Sequence, residues 1–460
     1  MTYDLVVVGA GAAGEAAGSA ARELGARVAT VERDLVGGEC AFWACMPSKT
    51  LLDAARWRAM GADYPWERAS ERRDWMISRE GIPYPDDGGH ARGAEEGEGE
   101  LVRGEARIVG PGRVEVRLVD GGSPRKLEAR ALVIATGSVP LIPPIDGLRE
   151  AGFWTNREAT SLRELPSSIV VLGGGPVGVE MAQVYVRFGV RTVLVEGHDR
   201  ILPRDHPRSS AAVAAQLRDE GLDIRTGVRA TGVAKGGAGR TVRLSDGATL
   251  EASVVLVAVG RRPADLRAIG IEEAGVRLDE RGASSPDESL RIGEGVFVAG
   301  DAAGGLQFTH VADYEGRIAA RAALGTPSRA DLSAVPRTTF TDPETGAVGL
   351  TVEEASSKGI DAFEVTADFA TSARGFTLER VGGGPKEGAP GHITAVVDRD
   401  RGILCGAFAA CPGASELISE AVLAIKQGIP VSVLADTIRA FPTGARVFGN
   451  VMGDAARRLQ

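Results

Sequence analysis

The sequence predicts an α/β fold in which one βαβ unit occurs twice, followed by a C-terminal α+β module. Two segments repeat one order of strand, glycine-rich turn, helix, strand and acidic residue, and they predict the two units. Shorter alternating strands and two helices after residue 336 predict the module. The chain has 460 residues, which is too many for one hydrophobic core, so several domains are expected.

The first unit begins with the apolar run from Leu5 to Val8 and continues through Gly9, Gly11 and Gly14. An alanine-rich helix follows, and the next strand ends at Glu32, which lies 18 residues after Gly14. Glycines in this pattern let a backbone turn approach a pyrophosphate, the helix N-terminus supplies donors, and the acid binds a ribose. The first unit is therefore predicted to bind a dinucleotide.

The second unit has the same order of features, with the strand 168–172 followed by Gly173, Gly175 and Gly178. Its second strand ends at Glu196, again 18 residues after the last glycine. One such glycine pattern is weak evidence, but here a strand precedes it, a helix follows it and the acid has the expected spacing. The predicted fold class is therefore α/β, with two Rossmann-like dinucleotide-binding domains plus a C-terminal α+β domain.

Cys40 and Cys45 lie just after the first unit, at the predicted start of a helix. Two thiols at this spacing can close a small disulfide ring and open it again, and a redox cofactor on the first unit would be close to them. Small buried thiols in a core are the alternative explanation of the spacing. Cys405 and Cys411 lie in apolar stretches of the last module and are predicted to pack in its core.

The other segments are predicted from their local pattern. Met60 to Arg73 is predicted as a helix, and residues 80–89 are predicted as a loop rich in Gly, Pro and Asp. Residues 331–336 form a predicted linker. The helices of the last module are predicted at Ser415 to Gln427 and Val431 to Ile438.

Composition excludes several classes of partner. The chain has 53 basic and 62 acidic residues, and the net charge of −9 argues against nucleic acid or an anionic membrane as a partner. No apolar run approaches the roughly 20 residues of a membrane span. The N-terminus enters a strand at once, with no signal peptide, and four cysteines do not make a secreted disulfide framework. A cytoplasmic location is expected, and no metal site is predicted.

Several short motifs occur together in one order. They are Gly37-Gly38-x-Cys40-x4-Cys45-x-Pro47-Ser48-Lys49, Ala135-Thr136-Gly137-Ser138, Gly260-Arg261-Arg262-Pro263, Ala299-Gly300-Asp301, Thr309-His310-Val311-Ala312 and Phe340-Thr341-Asp342-Pro343-Glu344. With these motifs the chain resembles the pyridine nucleotide–disulfide oxidoreductases, the family of lipoamide dehydrogenase, glutathione reductase and mercuric reductase. The resemblance implies an FAD-binding domain at 1–148 and 286–332, an NAD(P)H-binding domain at 149–285 and a dimerisation domain at 333–460.

The resemblance further implies a homodimer, with FAD on the first glycine turn and NADH or NADPH on the second. Electrons would pass from NAD(P)H through FAD to a Cys40–Cys45 disulfide and on to an acceptor. Cys45 would lie against the flavin, and Cys40 would meet the substrate. Lys49 and Glu180 would pair near the reactive flavin nitrogen.

The resemblance also implies individual cofactor contacts. Glu32 would bind the adenosine ribose of FAD, and Asp301 would bind the ribitol, although Asp301 also suits a helix N-cap. Besides the glycines of the two turns, cofactor contacts are implied at Arg33, Gly38, Lys49, Thr136, Gly137, Glu196, Gly260, Gly300 and Thr309.

The chain departs from the family near its C-terminus. Most relatives carry His-Pro-Thr-x-x-Glu there, and the resemblance implies that the partner subunit delivers this His to Cys40 as acid and base. The aligned positions here are Phe441 and Arg446, and no histidine follows His392. A phenyl ring carries no exchangeable proton, and acid–base help is typically worth about 10²–10⁴-fold, so fast reduction of lipoamide or glutathione is not expected. Arg446 either holds an anionic substrate or a thiolate, or is a solvated interface residue.

Four functions stay open on the sequence. The first is an oxidoreductase whose dithiol passes electrons to a disulfide or a similar small molecule. The second is a quinone or dye reductase that uses the flavin directly. The third is carbanion-type C–S chemistry like that of 2-ketopropyl-coenzyme M oxidoreductase/carboxylase, which resembles this chain in its Phe but has His where this chain has Arg446. The fourth is a non-enzymatic flavin redox sensor.

The choice of nicotinamide coenzyme is predicted from Glu196. A carboxylate at the end of the second strand accepts hydrogen bonds from a ribose 2′-hydroxyl and repels a 2′-phosphate, which favours NADH. Arg200 is close enough in sequence to accommodate such a phosphate, which would favour NADPH instead.

Overall fold

The computed structural model describes residues 2–237, 239–384 and 386–460. The chain forms two compact units. The first comprises Met1–Pro47, Glu71–Leu141 and Gly260–Asp331, and the second comprises Ser48–Ser70, Ile142–Val259 and Leu332–Gln460. The domain boundaries predicted at residues 148, 285 and 332 stay predictions. In the described part of the chain, no helix combines the length and the apolar character that a membrane crossing needs.

The strands are numbered in chain order. They are β1 (Thr2–Val8), β2 (Val28–Glu32), β3 (Gly99–Gly110), β4 (Arg113–Leu118), β5 (Arg125–Ile134), β6 (Ser138–Pro140), β7 (Ser168–Leu172), β8 (Arg191–Glu196), β9 (Asp223–Thr226), β10 (Ala230–Gly236), β11 (Gly239–Leu244), β12 (Thr249–Ala252), β13 (Val254–Val257), β14 (Arg261–Pro263), β15 (Arg291–Gly293), β16 (Val296–Val298), β17 (Arg337–Thr339), β18 (Thr345–Gly349), β19 (Ala362–Asp368), β20 (His392–Asp398) and β21 (Ile403–Ala410).

The helices are numbered in the same way. They are α1 (Ala12–Glu23), α2 (Gly38–Phe42), α3 (Cys45–Ala59), α4 (Trp66–Met76), α5 (Gly88–Ala94), α6 (Leu148–Ala151), α7 (Asn156–Ser161), α8 (Pro176–Arg187), α9 (Pro207–Asp219), α10 (Thr309–Ala323), α11 (Val352–Ser357), α12 (Ala373–Phe376), α13 (Ala414–Gln427), α14 (Val431–Asp436) and α15 (Gly444–Leu459). Short 3-10 helices span Leu266–Ile269, Ile271–Ala274 and Gly300–Ala303.

The main sheet of the first unit is built around β1. β1 lies between β2 and β5 with all three strands parallel, and β16 continues the parallel sheet beyond β5. Leu5 and Val7 pack on one face with apolar residues of α1 and α10, and Val6 and Val8 pack on the other face. Burial of both faces explains why β1 ends in the continuous apolar run Leu5 to Val8 rather than in an alternating pattern.

The second unit contains the second βαβ arrangement. β7 pairs in parallel with β13 and β8, and β8 pairs with β9. Ile169 and Val171 face a cluster that includes residues of α8, whereas Val170 and Leu172 face the antiparallel strands β10 to β12. The repeated glycine pattern of the sequence therefore corresponds to a repeated fold.

The C-terminal part of the second unit is an antiparallel sheet. Its strand order is β17-β18-β21-β20-β19, and residues of α13, α14 and α15 pack against it in one apolar cluster. This is the α+β module that the shorter strands after residue 336 predict.

Some local predictions are wrong. The predicted helix from Met60 to Arg73 is not continuous, because α3 ends at Ala59 and α4 begins at Trp66. Residues 80–89 are not all loop, because α5 begins at Gly88. The last of the predicted module helices ends at Asp436 rather than at Ile438.

Candidate active site

The first glycine turn joins β1 to α1. Gly11 is the N-cap of α1, and Gly14 lies in the first turn of this helix. A Cβ atom added at Gly14 would lie 1.9 Å from the carbonyl oxygen of Gly9, so that only glycine fits there. Because the N-cap has no side chain, the first amides of α1 are left for a ligand, which suits a pyrophosphate.

The carboxylate of Glu32 lies at the end of β2 and holds this turn. Its Oε2 accepts the amide N–H of Ala10 at 2.7 Å, and its Oε1 accepts the amide N–H of Asp34 at 2.7 Å. The structure therefore places Glu32 beside the first glycine turn, and its contact with a ribose stays a prediction. Arg33 is 71% exposed, and its contact with a cofactor also stays a prediction.

The segment that carries the two cysteines is fixed to the same turn. The amide N–H of Gly37 donates to the carbonyl oxygen of Ala10 at 2.7 Å. A Cβ atom added at Gly38 would lie 2.9 Å from the Cα atom of Gly11, and Gly38 has a φ of +64°. A residue with a side chain would be strained at Gly38 and would separate the two segments. Gly38 is therefore what allows the cysteine segment to contact the glycine turn.

Cys40 lies in α2, and Cys45 is the first residue of α3. Both side chains are partly exposed. The Sγ atom of Cys45 lies 3.4 Å from the Oγ1 atom of Thr309, which is the first residue of α10. Either atom can be the donor in this contact; the hydroxyl can donate to a thiolate, and the positive end of a 15-residue helix would also favour one at this position.

Asp301 lies in the 3-10 helix Gly300–Ala303, and the N-cap of this helix is Ala299. The interpretation of Asp301 as a helix N-cap is therefore wrong. Its carboxylate instead accepts the hydroxyl of Ser138, and the Nε of Arg261 donates to the same hydroxyl at 2.7 Å. Arg261 also lies 3.8 Å from the carboxylate of Glu39, the residue before Cys40. A polar chain thus connects Asp301 to the cysteine segment.

Ser138 and Arg261 are functional candidates that the sequence did not assign. Both belong to motifs that the resemblance quotes, but the motifs are 123 residues apart. The pairing of β6 with β14 brings them together. No spacing in the sequence indicates that pairing, so the contact could not be predicted.

Gly300 packs between α1 and α10. A Cβ atom added there would lie 3.0 Å from the Cβ atoms of Ala13 and Ala312. The amide of Gly300 donates to Oε2 of Glu315 at 2.8 Å. Burial raises the pKa of the Glu315 carboxyl, and Asp301 adds to this effect, although the bond from Gly300 opposes it.

Thr136 follows β5, and its hydroxyl tests whether a cofactor fits this unit. The Oγ1 atom is buried and has no hydrogen-bond partner among the described residues. An unsatisfied buried hydroxyl costs about 1–3 kcal/mol, so a ligand atom is expected to bind it. Gly137 and Gly260 of the same unit immediately precede the paired strands β6 and β14, and a Cβ atom at either would meet no described atom within 4 Å. This arrangement fits the predicted FAD site.

Lys49 and Glu180 form a pair in the second unit. The Nζ atom of Lys49 lies 2.6 Å from Oε2 of Glu180, whose side chain is 4% exposed. Oε1 of Glu180 accepts the amide N–H of Phe340 at 2.9 Å, and the Lys49 ammonium lies 4.8 Å from the centre of the Phe340 ring. The structure therefore brings the predicted pair together and holds the ammonium in one orientation.

The second glycine turn repeats the geometry of the first. Gly175 is the N-cap of α8, and a Cβ atom added at Gly178 would lie 1.9 Å from the carbonyl oxygen of Gly173. The carboxylate of Glu196 accepts the amide N–H of Gly174 at 2.6 Å. The structure thus brings together all the predicted residues of this turn.

The two cysteines of the C-terminal module lie in different surroundings from Cys45. Burial raises the pKa of the Cys405 thiol to about 11 and that of Cys411 to about 12. A carboxylate adds to the effect in each case, Asp398 for Cys405 and Glu344 for Cys411. Thiols that resist ionisation are poor nucleophiles, which agrees with the predicted packing role.

Comparison with known proteins bears on this geometry. Residues 3–316 match the family model described as pyridine nucleotide-disulphide oxidoreductase, and residues 335–452 match the dimerisation domain of that family. The dihydrolipoyl dehydrogenase of Thermus scotoductus is 37% identical, over 96% of this chain and 95% of the relative. The mercuric reductase of Streptomyces lividans is 34% identical, over 96% and 94%.

The chain belongs to the pyridine nucleotide-disulphide oxidoreductase family. Solved structures agree with this family assignment. The Cu(II) complex of the HOCl-induced flavoprotein disulfide reductase RclA from Escherichia coli superposes with a TM-score of 0.87 at 26% identity, over 98% of this chain and 99% of that chain. LpdA from Mycobacterium tuberculosis superposes with a TM-score of 0.86 at 26% identity, over 99% of both chains.

Membership of this oxidoreductase family tests several of the predictions. The predicted fold class, the enzyme class and the cofactors FAD and NAD(P)H are confirmed, and the dimerisation domain supports the predicted homodimer. The interpretation as a non-enzymatic sensor does not hold, because the family consists of FAD-dependent oxidoreductases. The choice between NADH and NADPH stays a prediction.

Phe441 and Arg446 lie on the surface of the second unit. Phe441 is 72% exposed, and Arg446 is exposed in the first turn of α15, where its amide N–H donates to Oγ1 of Thr443 at 3.1 Å. Exposure of a phenyl ring on this module suits a surface that a second copy covers. Their replacement of an acid–base pair stays a prediction.

Proposed function

We propose that this oxidoreductase uses Cys40 and Cys45 as a redox-active pair and passes electrons from NAD(P)H, with FAD, to a small-molecule acceptor. The observation that supports this most directly is the contact between Gly38 and Gly11. It fixes the cysteine segment to the turn that is expected to bind the FAD pyrophosphate. A dithiol with only a packing role would not need this contact.

The cofactor supplies the electrons. When bound, FAD accepts a hydride from NAD(P)H and delivers two electrons to a disulfide. Two electrons convert one disulfide into two thiolates, so the chain has to stabilise negative charge on sulfur. Thr309 and the N-terminus of α10 supply that stabilisation at Cys45, and Cys40 is then the sulfur that meets the acceptor.

Lys49 is proposed to act at the reactive flavin nitrogen. Glu180 and Phe340 hold its ammonium from two sides, which restricts a flexible side chain to one position. A preorganised cation stabilises developing negative charge more effectively than a mobile one. In this proposal Glu180 is a positioning residue that acts through Lys49.

The nature of the acceptor is inferred from the acid–base pair that is predicted to be missing near the C-terminus. The resemblance predicts that Phe441 and Arg446 occupy the positions of the acid–base pair of relatives, and no histidine follows His392. Disulfide exchange at Cys40 is therefore expected to lack protein-assisted proton transfer. This supports acceptors that take electrons without it, such as quinones, and makes reduction of the acceptor by the flavin itself the second candidate function. Carbanion chemistry has less support, because Arg446 is not the His of the related carboxylase.

The first experiment counts thiols in the denatured protein after anaerobic treatment with NADH. With four cysteines in the chain, a cycling pair gives two thiols before treatment and four after it. Cys405→Ser is the matched control, since it removes one thiol from both counts and leaves the difference of two unchanged. An NADH treatment that releases no additional thiols would contradict the proposed redox pair.

The second experiment separates the two candidate functions. Cys40→Ser is expected to abolish disulfide reduction, because the attacking sulfur is missing, and to leave quinone reduction at the flavin within about 2-fold. Loss of both activities at retained FAD content would make the dithiol obligatory for every acceptor.

The third experiment restores the missing pair with Phe441→His and Arg446→Glu together. General acid–base help predicts a gain of about 10²-fold in disulfide reductase activity, with quinone reduction unchanged. A double variant that forms the dimer and binds FAD but gains no disulfide reductase activity would show that proton transfer does not limit the reaction.

A further inference from the structure

Hydrogen-bond donors of the protein already use most of the acceptor positions of the Glu196 carboxylate. Oε2 accepts the amide N–H of Gly174 at 2.6 Å, and Oε1 accepts both the amide N–H and the ring Nδ1 of His198, at 2.8 and 2.7 Å. Burial by itself raises the pKa of this carboxyl, but the bonds from His198 and Gly174 outweigh burial and lower it. An ionised carboxylate only accepts hydrogen bonds, so Nδ1 of His198 carries the proton and donates it.

This occupancy limits what Glu196 can do for a ribose. A carboxylate offers about four acceptor positions, and three of them are used by these donors. The carboxylate therefore has room for about one ribose hydroxyl rather than for both the 2′- and 3′-hydroxyls. The advantage that Glu196 gives to NADH over NADPH is correspondingly reduced.

Two arginines lie on the segments next to Glu196. The carbonyl oxygens of Glu196 and His198 accept amide N–H groups of Val228 and Gly227, at 3.3 and 2.7 Å, so the loop before β10 runs beside the end of β8. The exposed Arg229 follows on that loop, and its side chain packs on Gly197, where an added Cβ atom would lie 2.8 Å from Nε.

Arg200 provides the second guanidinium on this edge. Its terminal nitrogen donates to the carbonyl oxygen of Pro203 at 2.9 Å, while its Nε is buried without a hydrogen-bond partner among the described residues. Asp199, the acid next to Arg200 in the chain, is 85% exposed and lies 3.8 Å from Arg200, and an ion pair this exposed to solvent contributes little. A backbone hydrogen bond is the main cause that lowers the pKa of the Glu353 carboxyl, and Arg200 adds to it, so this carboxylate faces the same guanidinium. His198, Arg200 and Arg229 together still place three basic side chains on the segments next to the end of β8.

We propose that His198, Arg200 and Arg229 form a subsite for the 2′-phosphate of NADPH, so that this enzyme accepts NADPH as well as NADH. His198 is the residue that sets the selectivity, because it occupies the carboxylate that would otherwise select a free 2′-hydroxyl. Guanidinium groups bind phosphate through paired, charge-assisted hydrogen bonds, which suits Arg200 and Arg229 to this role. The proposal deepens the proposed function, since it rests on the second glycine turn as the nicotinamide coenzyme site.

The experiment measures binding of adenosine fragments to the FAD-loaded full-length protein by isothermal titration calorimetry. The probes are 5′-AMP and 2′,5′-ADP, which differ only in the 2′-phosphate. The wild-type protein is expected to bind 2′,5′-ADP at least as tightly as 5′-AMP. Neither probe carries a nicotinamide or reacts with a thiol, so failure of the proposed dithiol chemistry does not alter the result.

Two variants assign the effect to residues. Arg229→Gln is expected to weaken 2′,5′-ADP about 10-fold and leave 5′-AMP unchanged, because one charge-assisted contact is lost. His198→Ala is expected to tighten 5′-AMP and weaken 2′,5′-ADP, so that the ratio of the two dissociation constants shifts about 10-fold toward 5′-AMP. A residue with a merely structural role would change both constants in the same direction.

Arg225→Gln is the matched control, because it removes an arginine of β9 that pairs with Asp223 at 3.0 Å. It is expected to leave both dissociation constants unchanged. The proposal is overturned if wild-type protein binds 2′,5′-ADP more than 10-fold more weakly than 5′-AMP, or if Arg229→Gln weakens both probes equally.

Discussion

The two glycine turns have nearly the same geometry. In each, the last glycine would place a Cβ atom 1.9 Å from a carbonyl oxygen of the first, at Gly14 and at Gly178. In each, the acid at the end of the second strand accepts the amide of the residue after the first glycine, at 2.7 Å for Glu32 and 2.6 Å for Glu196. Sequences that differ at most other positions thus produce one geometry.

The turns differ in what lies against them. Gly11 of the first turn is covered by Gly38, whereas a Cβ atom at Gly175 of the second turn would meet no described atom within 4 Å. A nicotinamide coenzyme leaves after each hydride transfer, whereas a flavin is restored in place. With FAD predicted on the first turn and the nicotinamide coenzyme on the second, we expect the neighbouring segment to make the difference between retention and exchange.

The largest expected effect comes from filling the tightest contact in each turn. Gly14→Ala and Gly178→Ala both place a methyl group on a carbonyl oxygen, which costs about 1–3 kcal/mol or more. Gly14→Ala is expected to purify with at least 10-fold less FAD. Gly178→Ala is expected to keep its FAD and lose about 10²-fold in kcat/KM for NADH.

Flavin absorbance per chain and steady-state kinetics measure the two effects. Loss of FAD from Gly178→Ala, at full solubility, would show that the two turns do not act separately.

A smaller effect tests the covering segment alone. Gly38→Ala adds a side chain at positive φ and 2.9 Å from Gly11, and the backbone strain is about 1–2 kcal/mol. We expect FAD to dissociate about 10-fold faster, with fewer thiols released by NADH. Stopped-flow release of flavin into dilute denaturant measures this rate.

Gly175→Ala is the matched variant in the second turn. Its φ of −76° is normal for alanine and its Cβ atom meets no protein atom of the described chain within 4 Å, so flavin release should be unchanged. Equal acceleration in both variants would contradict the role assigned to the Gly38 contact.

The smallest effect concerns Glu196 and pH. Its folded-state pKa lies below the ordinary value of 4.5, so its bonds stabilise the fold above that pH, and the stabilisation is lost as pH falls through the lowered pKa. Glu196→Gln should therefore lower Tm by about 1 °C per kcal/mol lost near pH 7, because the entropy of unfolding grows with chain length. The Tm difference from wild type is expected to shrink as the pH falls through the lowered pKa, below 4.5. Thermal unfolding at a series of pH values from 7 downward measures it, and a gap that widens in acid would contradict the ionised state of Glu196.

The glycine turns and their acids could be predicted because local spacing determines them. Gly14, Glu32, Gly178 and Glu196 each act within one βαβ unit, where strand and helix lengths fix the geometry. The ring of His198 could not be predicted, because two residues of separation from Glu196 do not determine where a side chain turns.

Contacts between distant segments could not be predicted from the sequence, for a different reason. Ser138 and Arg261 meet because β6 pairs with β14, Asp301 joins them from the 3-10 helix Gly300–Ala303, and no local pattern encodes these contacts. The pair of Lys49 and Glu180 was available only through resemblance to a family, since 131 residues separate them. The α5 helix was missed because it begins with two glycines, which have low helix propensity.

The first unit is built from three separate stretches of the chain, and this has a consequence for biosynthesis. β16 pairs with β5, and α10 covers the face of β1 that carries Leu5 and Val7. A nascent chain that ends before residue 260 lacks both elements, and each large side chain left uncovered forgoes about 1.5–3 kcal/mol. The first unit, where FAD is predicted to bind, is therefore completed only after Ala323 has been synthesised, and no N-terminal fragment that ends before residue 260 is expected to retain the yellow colour.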